Sequence, residues 1–251
     1  MPVHVYAFQE AIGKVYFVGY AGAPVYEWDP QRPWTQSPSP IDTPPDPASP
    51  DANPRLVVSF DRQRRTYAIV AAADRRLYVP CSATVESIPG GLLGWVDPVT
   101  GESAGMRQGF ENHRGADAAL AGGGRYVATC TCRWPQSNLA EPDMKIVTYD
   151  TQARKITGQC HPVPGCSDPG VIVGWRGTQV VGKVLEGLTD RSHELPLREN
   201  VTTTFYRCDV ETQECEIGLR IAGEHPGNPP APVERQDRML PGAEDRPRRS
   251  G

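Results

Sequence analysis

Short stretches in which apolar and polar residues alternate run through most of the chain, and turn residues separate them. Examples are His4–Phe8, Val15–Tyr20, Arg125–Thr129 and Gln179–Gly182. Alternation with a period of two is typical of half-buried β-strands, and two such stretches joined by a Gly- or Asp-containing turn predict a β-hairpin. The pattern therefore predicts an all-β chain of many short antiparallel strands.

One kind of turn recurs four times, each time after an apolar strand that ends near an aromatic residue. In the clearest copy, Leu93–Glu102, Asp97 and Pro98 suit the first positions of a type I turn, and Gly101 suits the left-handed position that follows. Because a predicted hairpin precedes each copy, the repeating unit has four strands. The other three copies are centred on Asp29, Asp150 and Asp209.

The spacing of these turns predicts the fold. The four aspartates are separated by 68, 53 and 59 residues, and the first separation falls to 50 without a Pro- and Ser-rich insert of 18 residues at 37–54. A four-stranded unit that recurs about every 50 residues predicts a β-propeller with four-stranded antiparallel blades. A β-sandwich is the alternative, because strand spacing alone does not distinguish the two folds.

About four blades are visible, which make either a small ring or part of a larger one. The insert is predicted to be a solvated loop between the first two blades, and the Pro-rich, charged segment 222–251 is predicted to be a disordered tail. An open arc of blades would expose strand edges and an apolar flank, which self-association would cover. The predicted blades span residues 3–36, 55–108, 109–159 and 167–221.

The Asp-turn hairpins resemble those of bacterial β-propeller repeats. Val25–Pro30, followed by Trp34, is similar to the third-to-fourth-strand hairpin of a kelch blade, and Trp95–Gly101 is similar to the hairpin of quinoprotein (PQQ-like) repeats. Phe205–Cys215 is similar to a hairpin of exported actinobacterial propeller-like proteins. The resemblance covers residues 3–221 and implies the architecture alone. The double glycine of kelch blades is absent and no quinoprotein cofactor residue can be mapped, so we expect no cofactor.

Charge and hydropathy argue against two classes of partner. The chain has 26 Lys and Arg, 30 Asp and Glu, and a net charge of −4, with no basic stripe, so we expect no nucleic-acid partner. The mean hydropathy is −0.47, and no apolar run reaches the roughly 18 residues that a membrane-spanning helix needs. The segment Met1–Tyr6 begins in strand-like alternation and shows no signal peptide.

Seven cysteines are many for a cytosolic protein of this size. Cys208 and Cys215 flank one Asp turn, and Cys160 and Cys166 flank a short Pro-rich loop, so each pair has a spacing that allows a disulfide. Disulfides would indicate an extracytoplasmic compartment; the alternative is that all thiols are reduced and pack as small apolar groups. The localisation therefore stays open. The Cys and His spacings fit no regular zinc motif, and we expect no metal site.

In a propeller, the loops between the second and third strands and those between blades share one end of the fold, which we call the long-loop face. Long loops on a rigid scaffold are where binding sites concentrate. Here these loops fall at residues 82–91, 133–143 and 186–202 and between blades at 109–115 and 160–170. The candidate binding residues on this face are His113, Arg114, Asp117, Arg133, Trp134, Arg191 and His193.

Two of these groups have specific expected roles. His113 is a candidate general base oriented by Asp117, at the mouth of the central channel; the alternative is an ordinary surface loop. Arg133 and Trp134 together could stack on a sugar or a peptide. Arg191 and His193 lie in a long polar loop.

The first functional hypothesis is a non-catalytic binding scaffold that takes a protein or glycan ligand on the long-loop face. The second is an enzyme, a lyase or hydrolase acting on a carbohydrate or polyuronate, because acids near the innermost strands could converge at the channel mouth. The chain contains no G-x-S-x-G nucleophile motif, P-loop or dinucleotide fingerprint. The sequence does not decide between the two hypotheses.

Overall fold

The computed structural model describes residues 4–20, 22–36, 46–60, 63–83, 90–111, 113–133, 144–166, 168–187 and 201–222. Within these ranges the chain forms antiparallel β-strands and one short 3-10 turn at Gly122–Gly124. None of the helical structure in these ranges is long and apolar enough to cross a membrane.

The strands group into four antiparallel blades, with strand order following chain order in each. Blades 1 and 2 are also linked by one strand pair, between Tyr20 and Arg65. Blade 1 contains β1 (His4–Ala11), β2 (Lys14–Tyr20), β3 (Pro24–Trp28) and β4 (Arg55–Ser59), and blade 2 contains β5 (Gln63–Thr66), β6 (Val70–Ala71), β7 (Leu77–Ala83), β8 (Leu92–Val96) and β9 (Ser103–Met106). Blade 3 contains β10 (His113–Ala121), β11 (Tyr126–Arg133), β12 (Lys145–Asp150) and β13 (Lys155–Cys160), and blade 4 contains β14 (Val171–Arg176), β15 (Gln179–Glu186), β16 (Thr202–Asp209) and β17 (Cys215–Ala222).

The blades pack face to face in sequence, and their interiors form three apolar clusters. One cluster lies between blades 1 and 2, one between blades 2 and 3, and one between blades 3 and 4. All six residues of β12 are buried, because a neighbouring blade covers each face of blade 3. A closed ring of four blades would need four such interfaces. Within the described residues, β10 packs against both β6 and β14, whereas β14 and β1 share no comparable contact. The blades therefore form an open arc.

All four predicted turn aspartates occupy the same structural position. In each turn, one carboxylate oxygen accepts a hydrogen bond from the backbone N–H two residues later, at 2.8–2.9 Å. The carboxylate oxygen thus provides an acceptor for an N–H group that has no backbone acceptor within the turn. This is why Asp suits the position. The residues are Asp29, Asp97, Asp150 and Asp209.

Three of these turns close in the same way. The fourth residue after the aspartate has a positive φ, which lets the chain reverse within a short hairpin. Gly101 takes this position in blade 2 with φ of +76°, as the sequence predicts, whereas Arg154 and Gln213 take it with φ of +53° and +64°. A side chain in this region is strained, so blades 3 and 4 tolerate a local cost that blade 2 avoids.

Blade 1 differs, and here the predicted boundary is wrong. The fourth residue after Asp29 is Pro33, whose ring fixes a negative φ, so the short hairpin cannot close. The chain instead continues through the insert and returns as β4, which pairs with β3. Blade 1 therefore ends at Ser59, and the insert lies within blade 1 and not between blades 1 and 2.

Asn53, from the insert, holds this longer connection together. Its side chain is buried; the Oδ1 atom accepts the N–H of Asp29 at 2.9 Å, and the Nδ2 atom donates to the carbonyls of Asp29, Arg32 and Pro33 at 2.9–3.0 Å. One amide thus replaces the missing hairpin contacts. Residues 37–45 of the insert and the predicted tail beyond residue 222 lie outside the described part of the chain.

The innermost strand of blade 2 is interrupted at residues 67–69, between β5 and β6. In the interruption, Ala68 belongs to the cluster between blades 2 and 3 and Ile69 to the cluster between blades 1 and 2. The break therefore sends adjacent side chains into two different cores.

Candidate functional site

The long-loop face of blade 3 brings together several buried polar groups. The start of β10, the end of β11, the start of β12 and the end of β13 meet there because the strands alternate in direction. These ends supply His113, Thr131, Lys145 and Gln159, of which the first three are buried. This polar group is the main part of the predicted site that the structure describes.

His113 is a buried strand residue, not a loop residue at the surface. Its side chain is only 1% exposed, and its Nδ1 atom lies 3.0 Å from the Oγ1 atom of Thr131. Its backbone N–H donates to Phe110 and its carbonyl accepts from Gly91 of blade 2. Its Nε2 atom has no hydrogen-bond partner among the described residues. His113 therefore fixes the junction of blades 2 and 3.

Electrostatics keep this imidazole neutral. Burial, together with the electrostatic interactions with Lys145 and His161, lowers the pKa of His113 to about 4. The Lys145 ammonium is itself buried and donates to the Oε1 atom of Gln159 at 3.0 Å. A neutral histidine can act as a base only if a substrate proton can reach it, and burial blocks that approach.

Asp117 does not orient His113, contrary to the prediction. One of its carboxylate oxygens accepts the backbone N–H of Ile172 in β14 at 2.9 Å, and the other accepts the N–H of Ala118 at 2.9 Å. Burial raises the pKa of Asp117, although these two bonds oppose the shift. Asp117 thus connects blade 3 to blade 4, and Thr131 replaces it as the partner of His113.

The remaining candidate residues cannot be placed in the same detail. The backbones of Arg114 and Arg133 lie in β10 and β11, with His113 and Arg133 directly opposite each other. Their side chains, together with Trp134, Arg191 and His193, lie outside the part of the chain that the structure describes. Their roles in binding stay predictions.

The structure joins one of the two predicted cysteine pairs. Cys208 and Cys215 form a disulfide across the base of the blade 4 hairpin. Cys160 and Cys166 are not joined to each other; the Cys160 sulfur lies instead within 4.8 Å of the sulfurs of Cys208 and Cys215. Burial raises the pKa of Cys160 to about 12. Because two of these three sulfurs are bonded to each other, the trio offers no set of thiolate ligands for a metal.

A second polar cluster, which the sequence analysis did not identify, lies in blade 1 towards the Asp turns. Glu27 is buried and accepts from Lys14 Nζ at 2.7 Å, Tyr16 Oη at 2.7 Å and Arg55 Nε at 3.0 Å. Burial alone would raise the pKa of Glu27, but the hydrogen bonds from Arg55, Lys14 and Tyr16 outweigh it and hold the pKa below its usual range. The feature of the sequence that could have indicated this cluster is a charged residue, Glu27, inside the apolar strand β3.

The geometry of the Glu27 cluster indicates a structural role. Both carboxylate oxygens are occupied by donors, and the Tyr16 hydroxyl also faces the Pro98 carbonyl of the next blade at 3.5 Å. No oxygen is left to face a substrate. The cluster therefore stabilises the contact of blades 1 and 2.

The comparisons with known proteins identify the fold but not a family. No family model matches the chain, and no curated protein matches it. A solved structure of hydrazine synthase from Kuenenia stuttgartiensis is similar over 87% of this chain and 50% of that chain, at 10% identity and a TM-score of 0.51. A puromycin-hydrolysing peptidase from Mycobacterium tuberculosis is similar over 89% of this chain and 30% of that chain, at 16% identity and a TM-score of 0.50.

The β-propeller domain of Cps50 (Swd1) from Myceliophteria thermophila is similar over 73% of this chain and 49% of that chain, at 10% identity and a TM-score of 0.44. The chain thus spans half or less of the length of these proteins. At such identities the likeness carries the fold alone. The chain is an all-β protein with the β-propeller fold, and about four blades of it are present.

Proposed function

We propose that this chain is a non-catalytic interaction scaffold that binds a protein or glycan ligand on its long-loop face. One observation carries the proposal: the buried ionisable groups near this face bond to other parts of the frame. His113 contacts Thr131, Asp117 accepts the N–H of Ile172, and Lys145 donates to Gln159. Groups held in this way stabilise the roots of the long loops and are not arranged around a solvent-accessible substrate site.

The frame below the loops is well suited to hold them in fixed positions. Successive blades are tied at their inner turns, because the N–H of Ala73 donates to Gly124 at 3.0 Å and the N–H of Gly122 donates to Gly177 at 2.6 Å. A rigid scaffold lowers the entropy cost of ordering a binding surface. Variation in the loops can then set the ligand without changing the frame.

Photo-crosslinking tests the location of the surface. A photoreactive phenylalanine analogue is placed at Trp134 or Arg191, in the long loops, and at Val99, which is exposed on an Asp turn at the opposite end. We expect a ligand in extracts of the source cells to crosslink from the two loop positions and not from position 99. Crosslinking from position 99 alone would contradict the proposal.

Turnover assays distinguish the scaffold from the enzyme hypothesis. The purified chain is incubated with polygalacturonate and with neutral polysaccharides, and the products are separated by chromatography. The scaffold proposal expects no chain shortening. Cleavage that is lost in His193→Ala but retained in Val99→Ala would overturn it in favour of a carbohydrate-active enzyme.

We also propose an extracytoplasmic location, which the Cys208–Cys215 disulfide supports. With the Cys208–Cys215 disulfide intact, alkylation of the unfolded, unreduced chain modifies at most five of the seven cysteines. Seven modified thiols in protein taken directly from its source cells would contradict the proposed location.

A further inference from the structure

Exposed apolar side chains concentrate on the first and last blades. Of the eleven large apolar side chains that are well exposed in the described residues, five lie in blade 1, five in blade 4, one in a turn of blade 2, and none in blade 3. Apolar surface this concentrated indicates contact with another macromolecule. The members in the terminal blades are Val5, Tyr6, Phe8, Ile12 and Trp34, and Val171, Val173, Trp175, Leu219 and Ile221.

The repeat shows what the uncovered face of blade 1 is built to contact. Phe8 of β1 pairs with Phe17 of β2. Phe17 lies three residues after the β2 position that is opposite the turn aspartate. The matching residues in blades 3 and 4 are Ala118 and Ile172, and each packs into the cluster shared with the preceding blade. Phe8 is 75% exposed because the described chain has no blade before blade 1. Its face is thus shaped to receive a preceding blade.

The uncovered face of blade 4 corresponds instead to the side of an interior blade that contacts the next blade in the chain. Tyr126, opposite Asp150 in blade 3, faces blade 4 and donates to Glu211 in the Asp turn of that blade at 2.9 Å. The matching residue in blade 4 is Gln179, opposite Asp209, and it lines an open groove of about 570 Å³. The groove therefore lies where an interior blade receives the Asp turn of the next blade.

We propose that a second copy of this chain closes the arc, with blade 4 of each copy packing on blade 1 of the other. Two copies related by a two-fold axis along the propeller axis would make a ring of eight blades, which is within the range of known propellers. Each groove would then receive the Asp29 turn of the other copy.

The repeat favours a second copy over an unrelated occupant, because the two uncovered faces correspond to the two sides of the contact that interior blades make. The uncovered face of blade 4 carries Lys183 and Arg207. Arg207 pairs with Glu216, and Asp209 and Glu214 line the same groove, so the charge of this face is mixed. Polar groups around an apolar centre suit a contact between separately folded chains.

Sedimentation equilibrium of the full chain tests the proposal. We expect a mass of twice 27.4 kDa at high concentration and dissociation on dilution. Phe8→Glu and Val171→Glu each place a charge on one uncovered face, where the replaced side chain is 75% or 43% exposed, so both variants fold. Each variant alone is expected to be monomeric. Val99→Glu, the control on the turn of blade 2, is expected to remain dimeric.

Mixing the two variants tests the direction of the contact. In a mixed pair, one junction joins an unaltered blade 4 to an unaltered blade 1, so Phe8→Glu and Val171→Glu associate with each other although neither associates with itself. A wild-type chain that is monomeric at every concentration would overturn the proposal. Loss of association in Phe8→Glu but not in Val171→Glu, or no association in the mixture, would overturn the head-to-tail arrangement.

Discussion

Blade 3 and blade 1 place equivalent residues in opposite environments. Ala118 in blade 3 is 8% exposed, whereas Phe8, at the same position of the repeat in blade 1, is 75% exposed although it is far more apolar. The register of the strand sets which way each side chain points. The presence of a neighbouring blade decides whether that side chain is buried. Strand pattern alone therefore cannot show where an interface is complete.

Core packing should give the largest difference between the two environments. Phe110 is fully buried between blades 2 and 3, so Phe110→Ala should lower the free energy of unfolding by about 3–5 kcal/mol. Phe8→Ala, at concentrations where the chain is monomeric, should lower it by less than about 0.5 kcal/mol. Urea unfolding of both variants measures the contrast. Equal losses would mean that the face of Phe8 is covered within one chain.

The buried histidine should make stability depend on pH. The pKa of His113 falls from 6.5 in the unfolded chain to about 4 in the fold. Between these values the unfolded chain binds more protons, so the contribution is complete above pH 6.5 and is lost as the pH falls towards 4. The loss amounts to roughly 3 kcal/mol.

Unfolding measured between pH 7 and pH 4.5 checks this expectation. His113→Gln should flatten the dependence, whereas His161→Gln, which removes only the smallest of the three causes of the shift, should change it far less. A dependence that survives unchanged in His113→Gln would show that other titrating groups cause it, and would contradict the role given to His113.

A buried and an exposed ion pair should differ less strongly in their contribution to the free energy of unfolding. Glu27→Gln removes the charge that three donors share in a buried site and should cost about 2 kcal/mol. Glu216→Gln breaks the exposed pair with Arg207 on blade 4 and should cost less than about 1 kcal/mol. Because the folded-state pKa of Glu27 is lowered, its contribution is lost as the pH falls below 4.5. Equal costs in thermal unfolding would contradict the structural role of Glu27.

The smallest expected effect concerns the turns. Arg154 has a φ of +53°, so Arg154→Gly should raise the free energy of unfolding by up to about 1 kcal/mol. The reverse change at the matching position, Gly101→Arg, should lower it by about 1 kcal/mol. Differential scanning calorimetry of the two variants measures these shifts, and a loss of stability in Arg154→Gly would mean that the two turns are not equivalent.

The sequence was sufficient to predict the repeat, because each Asp turn is a local feature. The bond from Asp97 to a backbone N–H two residues later depends only on neighbouring residues, and so does the positive φ of Gly101. The same local reasoning failed in blade 1. There the returning strand β4 follows an insert, and the residue that closes the turn, Asn53, lies 24 positions after Asp29.

The predicted pairing of His113 with Asp117 differs from the observed contacts for a related reason. His113 and Asp117 are polar residues in a region that reads as a loop, but strand β10 begins at His113 and two neighbouring blades cover it. Burial of this kind comes from contacts between blades, which periodicity along one strand does not reveal. Glu27 was missed because its donors come from two other strands of the same blade, β2 and β4.

A crystal structure of the chain tests the open arc most directly, through the surroundings of β1 and β14. The account predicts that these two strands do not pack on each other within one chain, and that blade 4 of one copy packs on blade 1 of another. A structure in which β14 packs against β1 of the same chain, with a fourth apolar cluster between them, would contradict it.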